Sequence, residues 1–273
     1  MGAIADSVRR RLPAEKKSGP VTTLRRSPLY ARRPLDFGAA LGAPGARVIA
    51  EVKFASPSEG LLRERPSAGA AVAVAGSYLA AGAAALSVLT EPEFFRGSRG
   101  YLRAIRQKYP AAPLLMKDFF VDRYQFEQAR ACGADAVLLI AALLGDALAD
   151  MLRGAESLGL SALVEVHTEA ELKAAGRARA RLIGVNSRDL KTLKTDLGVA
   201  RALGPAAKGT GAVLVAESGI RTAGDIASLW ACGYDVFLIG TELMRQADPG
   251  AGLKALLSHP RYPRKSRRPD SRG

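Results

Sequence analysis

"VIAEVKFASPSEG", residues 48–60, is the stretch on which the fold turns. It opens with small and β-branched apolar residues, as a strand covered on both faces does. It then sets Glu51 and Lys53 into the same run and closes with Ser-Pro-Ser and a glycine. Side chains alternate along a strand, so Ile49, Glu51 and Lys53 share one face. Two opposite charges at the end of an apolar face need a polar space to enter. A barrel strand, packed at its middle and open to a site at its C-terminal end, provides one.

The same kind of run recurs at 84–89, 113–117, 136–140, 162–166, 182–186, 212–217 and 236–240, which with 48–53 makes eight predicted strands. Segments of helical period separate them, at 68–81, 98–108, 123–131, 146–158, 168–178, 196–203, 222–231 and about 249–257. Asp122, Asp146, Thr168 and Thr222 are predicted N-caps. Gly133, Gly159 and Gly233 stand where left-handed C-caps are expected. "ACGADAVLLI" (131–140) echoes "ACGYDVFLIG" (231–240), two versions of one β/α unit with Cys132 and Cys232 packed at helix ends. Strands and helices in strict alternation predict a (β/α)8 TIM barrel. The competing doubly wound sheet usually carries a GxGxxG turn after its first strand, and the sequence has none.

A chain of 273 residues, 48% of them hydrophobic, can bury a sizeable core. The two cysteines form no CxxC pair, which fits a reducing, cytoplasmic setting without a disulfide framework. His167 and His259 are too few for a His-rich metal cluster. No apolar run is long enough to cross a bilayer, and no signal-peptide core is expected at the N-terminus. The net charge of +14 gathers at the ends: nine Lys/Arg against three Asp/Glu in 1–36, and six against one in 259–273. The chain therefore divides into a basic N-terminal extension (1–36) partly capping a barrel (37–258), and a basic, disordered tail (259–273). Pro13 and Pro20 are expected to limit the extension to short helical pieces. Few aromatics interleave with the basic residues, so a specific nucleic-acid function is not favoured, and no membrane partner is expected.

On the barrel reading, Glu51, Lys53, Lys117, Glu165, Asn186 and Glu217 end five different strands and converge on one rim, with Arg188 and Ser218 just beyond. Opposite charges at close quarters keep their partners ionised while burial tunes them. Such a rim supplies a proton donor and an acceptor without metal or organic cofactor. Gly219, Gly240 and Thr241, after the last two strands, offer backbone N–H groups where barrels often bind phosphate, and Ser56 could add a hydroxyl.

These motifs together resemble indole-3-glycerol-phosphate synthase. "VIAEVKFASPSEG", "LSVLTEPEFFRGS", "LLMKDFFVD", "GADAVLLIAALL", "LVEVHTEAEL", "IGVNSRDLKTL", "VAESGI" and "FLIGTELMR" follow the family's order over about residues 37–246. The resemblance implies a metal- and cofactor-free carbon-carbon lyase. It would close the pyrrole ring of 1-(2-carboxyphenylamino)-1-deoxyribulose 5-phosphate and release carbon dioxide and water. Lys117 would be the general acid of ring closure. Glu165 and Lys53 would share the dehydration, in an undecided division. Glu51, Asn186, Glu217 and Ser218 match the family's other contacts with substrate. Arg188 would face the anthranilate carboxylate, and Ser56, Gly219, Gly240 and Thr241 would hold the phosphate. Phe95, Phe119, Leu138 and Leu190 would form the slot for the aromatic ring. Phe54, Arg96 and Thr241 depart from the family's usual residues. Association with other enzymes of the tryptophan pathway is left open. A sugar-phosphate isomerase on a related barrel, or a barrel kept as a basic interaction module, are the alternatives. Neither calls for both the ring slot and this charged rim.

Overall fold

The computed structural model describes residues 2–43, 45–189 and 192–258. Eight parallel strands close into a barrel: β1 Arg47–Val52, β2 Ala85–Leu89, β3 Leu114–Lys117, β4 Ala136–Ile140, β5 Ser161–Val166, β6 Leu182–Asn186, β7 Val213–Glu217 and β8 Val236–Ile239. Each pairs with its sequence neighbours, and β8 returns to β1 in the register Arg47↔Val236. The fold is the predicted TIM barrel.

The alternation in β1 shows how sequence becomes architecture. Val48, Ala50 and Val52 face outward into the layer beneath the surrounding helices. Ile49 faces inward and meets Ala85, Leu115, Leu163, Val215 and Leu238 from the other strands. Phe37 and Leu41, on the short helix Phe37–Leu41, pack into the same inner cluster. Thr168 and Thr222 cap their helices as predicted, Thr222 within a reciprocal capping box with Asp225. Asp122 is not the N-cap of the helix Tyr124–Cys132: Arg123 holds that position, and Asp122, one residue before it, accepts the Tyr124 N–H at 2.8 Å. Asp146 caps no α-helix. It lies in the 3-10 turn Gly145–Ala147, which precedes the helix Leu148–Ser157.

The extension departs from expectation. Residues Gly2–Ser18 form one helix with Pro13 inside it. A proline forfeits one backbone bond in a helix interior, and here tertiary contacts outweigh that loss. Val8 and Leu12 pack against Tyr124, Phe119 and Val121. Arg11 reaches Glu91 at 2.9 Å, Lys16 reaches Asp122 at 2.6 Å, and Arg99 of the barrel reaches back to Glu15 at 3.0 Å. Further along, Arg25 pairs with Glu127 at 2.6 Å. Much of the extension's positive charge thus meets acids of the barrel. The tail 259–273, with His259, lies outside the described residues. No helix among the described residues is long and apolar enough to cross a membrane.

Asp135, which the sequence reading passed over, ties extension to barrel. It is fully buried, pairs with Arg32 and Arg106, and accepts the N–H groups of Leu35 and Leu114 at 2.8 Å each. Arg106 is itself only 1% exposed. Asp135→Ala leaves that guanidinium buried without its carboxylate, and the expected cost in urea denaturation is about 3–5 kcal/mol.

Candidate active site

Closure of the barrel brings the strand ends into one cavity. The Lys117 ammonium, ending β3, lies 2.8 Å from Glu217 Oε2, 3.7 Å from Glu51 Oε2 and 3.9 Å from Glu165 Oε2. Lys53 sits 3.0 Å from the other oxygen of Glu51, and the Ser87 hydroxyl donates to Glu51 at 3.3 Å. The carboxylates are buried, whereas Lys117 keeps 16% of its side chain exposed to the cavity. The register aligns these groups: Leu89 lies beside Lys117, Ile140 beside Glu165 and Asn186 beside Glu217.

Two glycines make the room. A Cβ on Gly184, in β6, would fall 2.0 Å from Glu217 Oε1, and one on Gly240, after β8, 2.5 Å from Glu51 Oε1. Gly240 was foreseen only as a phosphate contact, and Gly184 was not foreseen at all. A glycine inside a strand marks a place where something approaches closely, and here it is a buried carboxylate from the neighbouring strand.

Burial and charge divide the roles of the cluster. Burial opposes the charge on Lys117, but Glu217, Glu51 and Glu165 together hold its pKa above the ordinary range. Burial likewise opposes ionisation of Glu51, yet Lys53 and Lys117 win and keep it below the usual carboxylate value. For Glu217 burial prevails over Lys117, Glu165 and Glu51 add repulsion, and the carboxyl is pushed up to about 7. The cluster therefore holds one firm cation, one firm anion and one carboxyl able to exchange a proton near neutrality.

One wall is apolar. The Phe95 and Phe119 rings stand 6.2 Å apart, tilted by 37°, and Leu138 lines the cavity with them. Phe95 ends the short helix Pro92–Phe95, whose N-cap, Glu91, accepts the Phe94 N–H at 2.7 Å and also holds Arg11 of the extension. Another part of the lining is polar backbone: Ser218 and Gly219, both at positive φ, with Gly240 and Thr241.

The sequence profile described as indole-3-glycerol phosphate synthase matches residues 1–256. The protein of that name from Carboxydothermus hydrogenoformans is 47% identical over 234 residues, 85% of this chain and 86% of its own. Its namesake in Rhodococcus jostii is 42% identical over 271 residues, 98% of this chain and 99% of its own.

The chain belongs to the indole-3-glycerol phosphate synthase family.

It is therefore a carboxy-lyase of tryptophan biosynthesis. A solved 3-hexulose-6-phosphate synthase from Salmonella typhimurium shares the fold alone, with a TM-score of 0.60 at 15% identity over 77% of this chain and 96% of that one.

Against the family pattern, Lys53, Glu51, Lys117, Glu165, Asn186, Arg188, Ser218, Gly219, Gly240, Thr241, Phe95, Phe119 and Leu138 all line one cavity. Glu217 joins them through its bond to Lys117. Asn186 accepts the Arg188 N–H at 2.9 Å, and the Arg188 guanidinium is steadied on the Leu193 carbonyl at 2.9 Å. Ser56 does not line this cavity. It is buried in the ribbon formed by Ala55–Ser56 and Gly60–Leu61, its hydroxyl 3.4 Å from that of Ser58. Leu190 lies outside the described residues. Phe54, where the family commonly has a basic residue, is buried in the strand–helix layer, edge-on to Tyr101 at 5.5 Å. Arg96, the left-handed C-cap of the helix Pro92–Phe95, is exposed. Sequence reasoning also missed Arg221 and Arg245, which line the cavity.

Two outcomes follow from this geometry. In carbon-13 NMR of the glutamate carboxyls, Glu217 should titrate near 7, and Lys117→Met should move it higher, because the ammonium holds it down. Gly184→Ala should displace Glu217, cost about 1–3 kcal/mol in chemical denaturation and lower turnover.

Proposed function

We propose that this rim converts 1-(2-carboxyphenylamino)-1-deoxyribulose 5-phosphate to indole-3-glycerol phosphate by general acid–base catalysis, with the roles divided as follows. The observation that carries the reading is the Lys117 ammonium, held by three carboxylates in a cavity walled by Phe95 and Phe119. As the aromatic carbon attacks the ketone, negative charge grows on the carbonyl oxygen. Lys117 stabilises that charge from a site of low dielectric and donates its proton there. Its carboxylate neighbours keep it protonated between turnovers and offset its charge.

Carbon dioxide then leaves, and the new hydroxyl must depart as water. Glu165 and Lys53 serve that step as acid and base. Glu51 holds Lys53 in place and receives substrate hydroxyls, while Asn186, Glu217 and Ser218 complete the polar lining. Arg188 faces the carboxylate that becomes carbon dioxide. The N–H groups of Gly219, Gly240 and Thr241 bind the phosphate. Phe95, Phe119 and Leu138, with Leu190 as a fourth member, hold the aromatic ring against the ketone in attack geometry and keep water away. Residues 37–258 form the catalytic barrel. The extension 1–36 covers its side and steadies the Phe95 wall through Arg11 and Glu91.

Incubation with the carboxyphenylamino substrate should generate indole fluorescence without added metal. Lys117→Ala should lower kcat by about 10²–10⁴-fold with an unchanged circular dichroism spectrum. Turnover at the wild-type rate would remove Lys117 from its role.

A further inference from the structure

The proposed reaction consumes a proton that must come from solvent. One proton goes to the carbonyl oxygen on ring closure, and a second lets the resulting hydroxyl leave as water. One is released from the methylene carbon beside the nitrogen as the new ring becomes aromatic. The carboxylate departs as neutral carbon dioxide. Each turnover at neutral pH therefore takes up one proton from solvent, while the carboxyls around Lys117 are buried.

A chain of groups leads outward from Glu165. His167, one residue past β5, approaches Glu165 Oε1 with its Nε2 at 3.4 Å. Its Nδ1 stands 3.4 Å from Glu171 Oε2. Side-chain exposure rises along the series, from 3% at Glu165 to 13% at His167 and 20% at Glu171. At the inner end, Glu165 Oε2 is 3.9 Å from Lys117. The buried Nε2 has no hydrogen-bond partner among the described residues, so its nearest call on a proton is the Glu165 carboxylate. Both ring contacts are long, and such contacts commonly tighten once substrate is bound. Burial disfavours the imidazolium, but Glu171, Glu165 and Glu217 outweigh it and raise the pKa of the ring above its usual value. Glu171 is fixed independently of the ring, because it accepts the His167 backbone N–H at 2.8 Å.

We propose that His167 and Glu171 form a relay that delivers the consumed proton from solvent to Glu165, resting on the reading of Glu165 given above. Glu171 takes a proton from water and passes it to Nδ1. The imidazolium gives its Nε2 proton to the Glu165 carboxylate, and return of the ring to its first tautomer completes the cycle. One proton enters, no bond between heavy atoms changes, and no oxidant or reductant is required. Neither residue touches substrate; both act through Glu165.

The test uses the full chain at saturating substrate. His167→Ala should lower kcat by about 10²-fold with KM nearly unchanged, and added imidazole should restore the rate in proportion to its protonated form. Glu171→Gln keeps an acceptor for the His167 N–H but cannot pass a proton, and it too should lower kcat with KM held. Wild-type kcat in either variant, or a loss in His167→Ala that imidazole does not restore, would overturn the relay and leave His167 a packing contact. Glu165→Gln separates the two readings. If it is inactive while both relay variants run at full rate, only the relay falls; if it is fully active, the role of Glu165 falls and the relay with it.

Discussion

The site is organised by one constraint: an ammonium group held among three carboxyls inside a protein. Taking such charges out of water costs several kcal/mol per ion before their mutual attraction is counted. The arrangement is tolerable only where positions are fixed by something stiffer than the charges themselves. The closed sheet is that element. Its register sets Lys117, Glu165 and Glu217 at the ends of alternate strands, and Gly184 and Gly240 leave the volume that two of the carboxyls occupy. Two ammonium groups, Lys53 and Lys117, face Glu51, Glu165 and Glu217, and the last of these is pushed up to about 7. Opposite charges thus offset one another within the cluster, which limits the cost of burying it.

The basic N-terminal extension reads differently once folded. Four of its nine Lys/Arg find a partner in acids of the barrel: Glu91, Asp122, Glu127 and Asp135. These contacts span about 80 to 106 residues of sequence. The charge excess of the extension therefore serves docking to the barrel. The docking has a consequence at the site, because Glu91 both receives Arg11 and caps the helix that ends in Phe95. Packing far from the cavity and the shape of its apolar wall are mechanically linked.

Fold and site were legible in the sequence to different degrees. Each apolar run became a strand because a strand buried on both faces needs no more than continuous small and branched residues. The polar residues that end those runs are visible in the sequence alone. That Lys117 and Glu165 come within 3.9 Å of each other follows from barrel closure applied to those residues. Ser56 was less legible, because it follows the strand rather than ending it and lies in a short ribbon of its own. Asp146 failed because a 3-10 turn intervened before its helix.

The sequence by itself determined the barrel, the set of charged strand ends and the family, since all three rest on residue type and order along the chain. Only the tertiary structure decided the rest. Pro13 stays inside a helix because Val8 and Leu12 find Tyr124, more than a hundred residues away. Asp135 became the joint between extension and barrel, Gly184 became the space for a carboxylate, and His167 came to stand between two glutamates. Each of these depends on what lies across the fold rather than along it. Local propensity carries no information about distance through space, and burial, which sets the energy of every charge in this site, exists only once the chain has closed on itself.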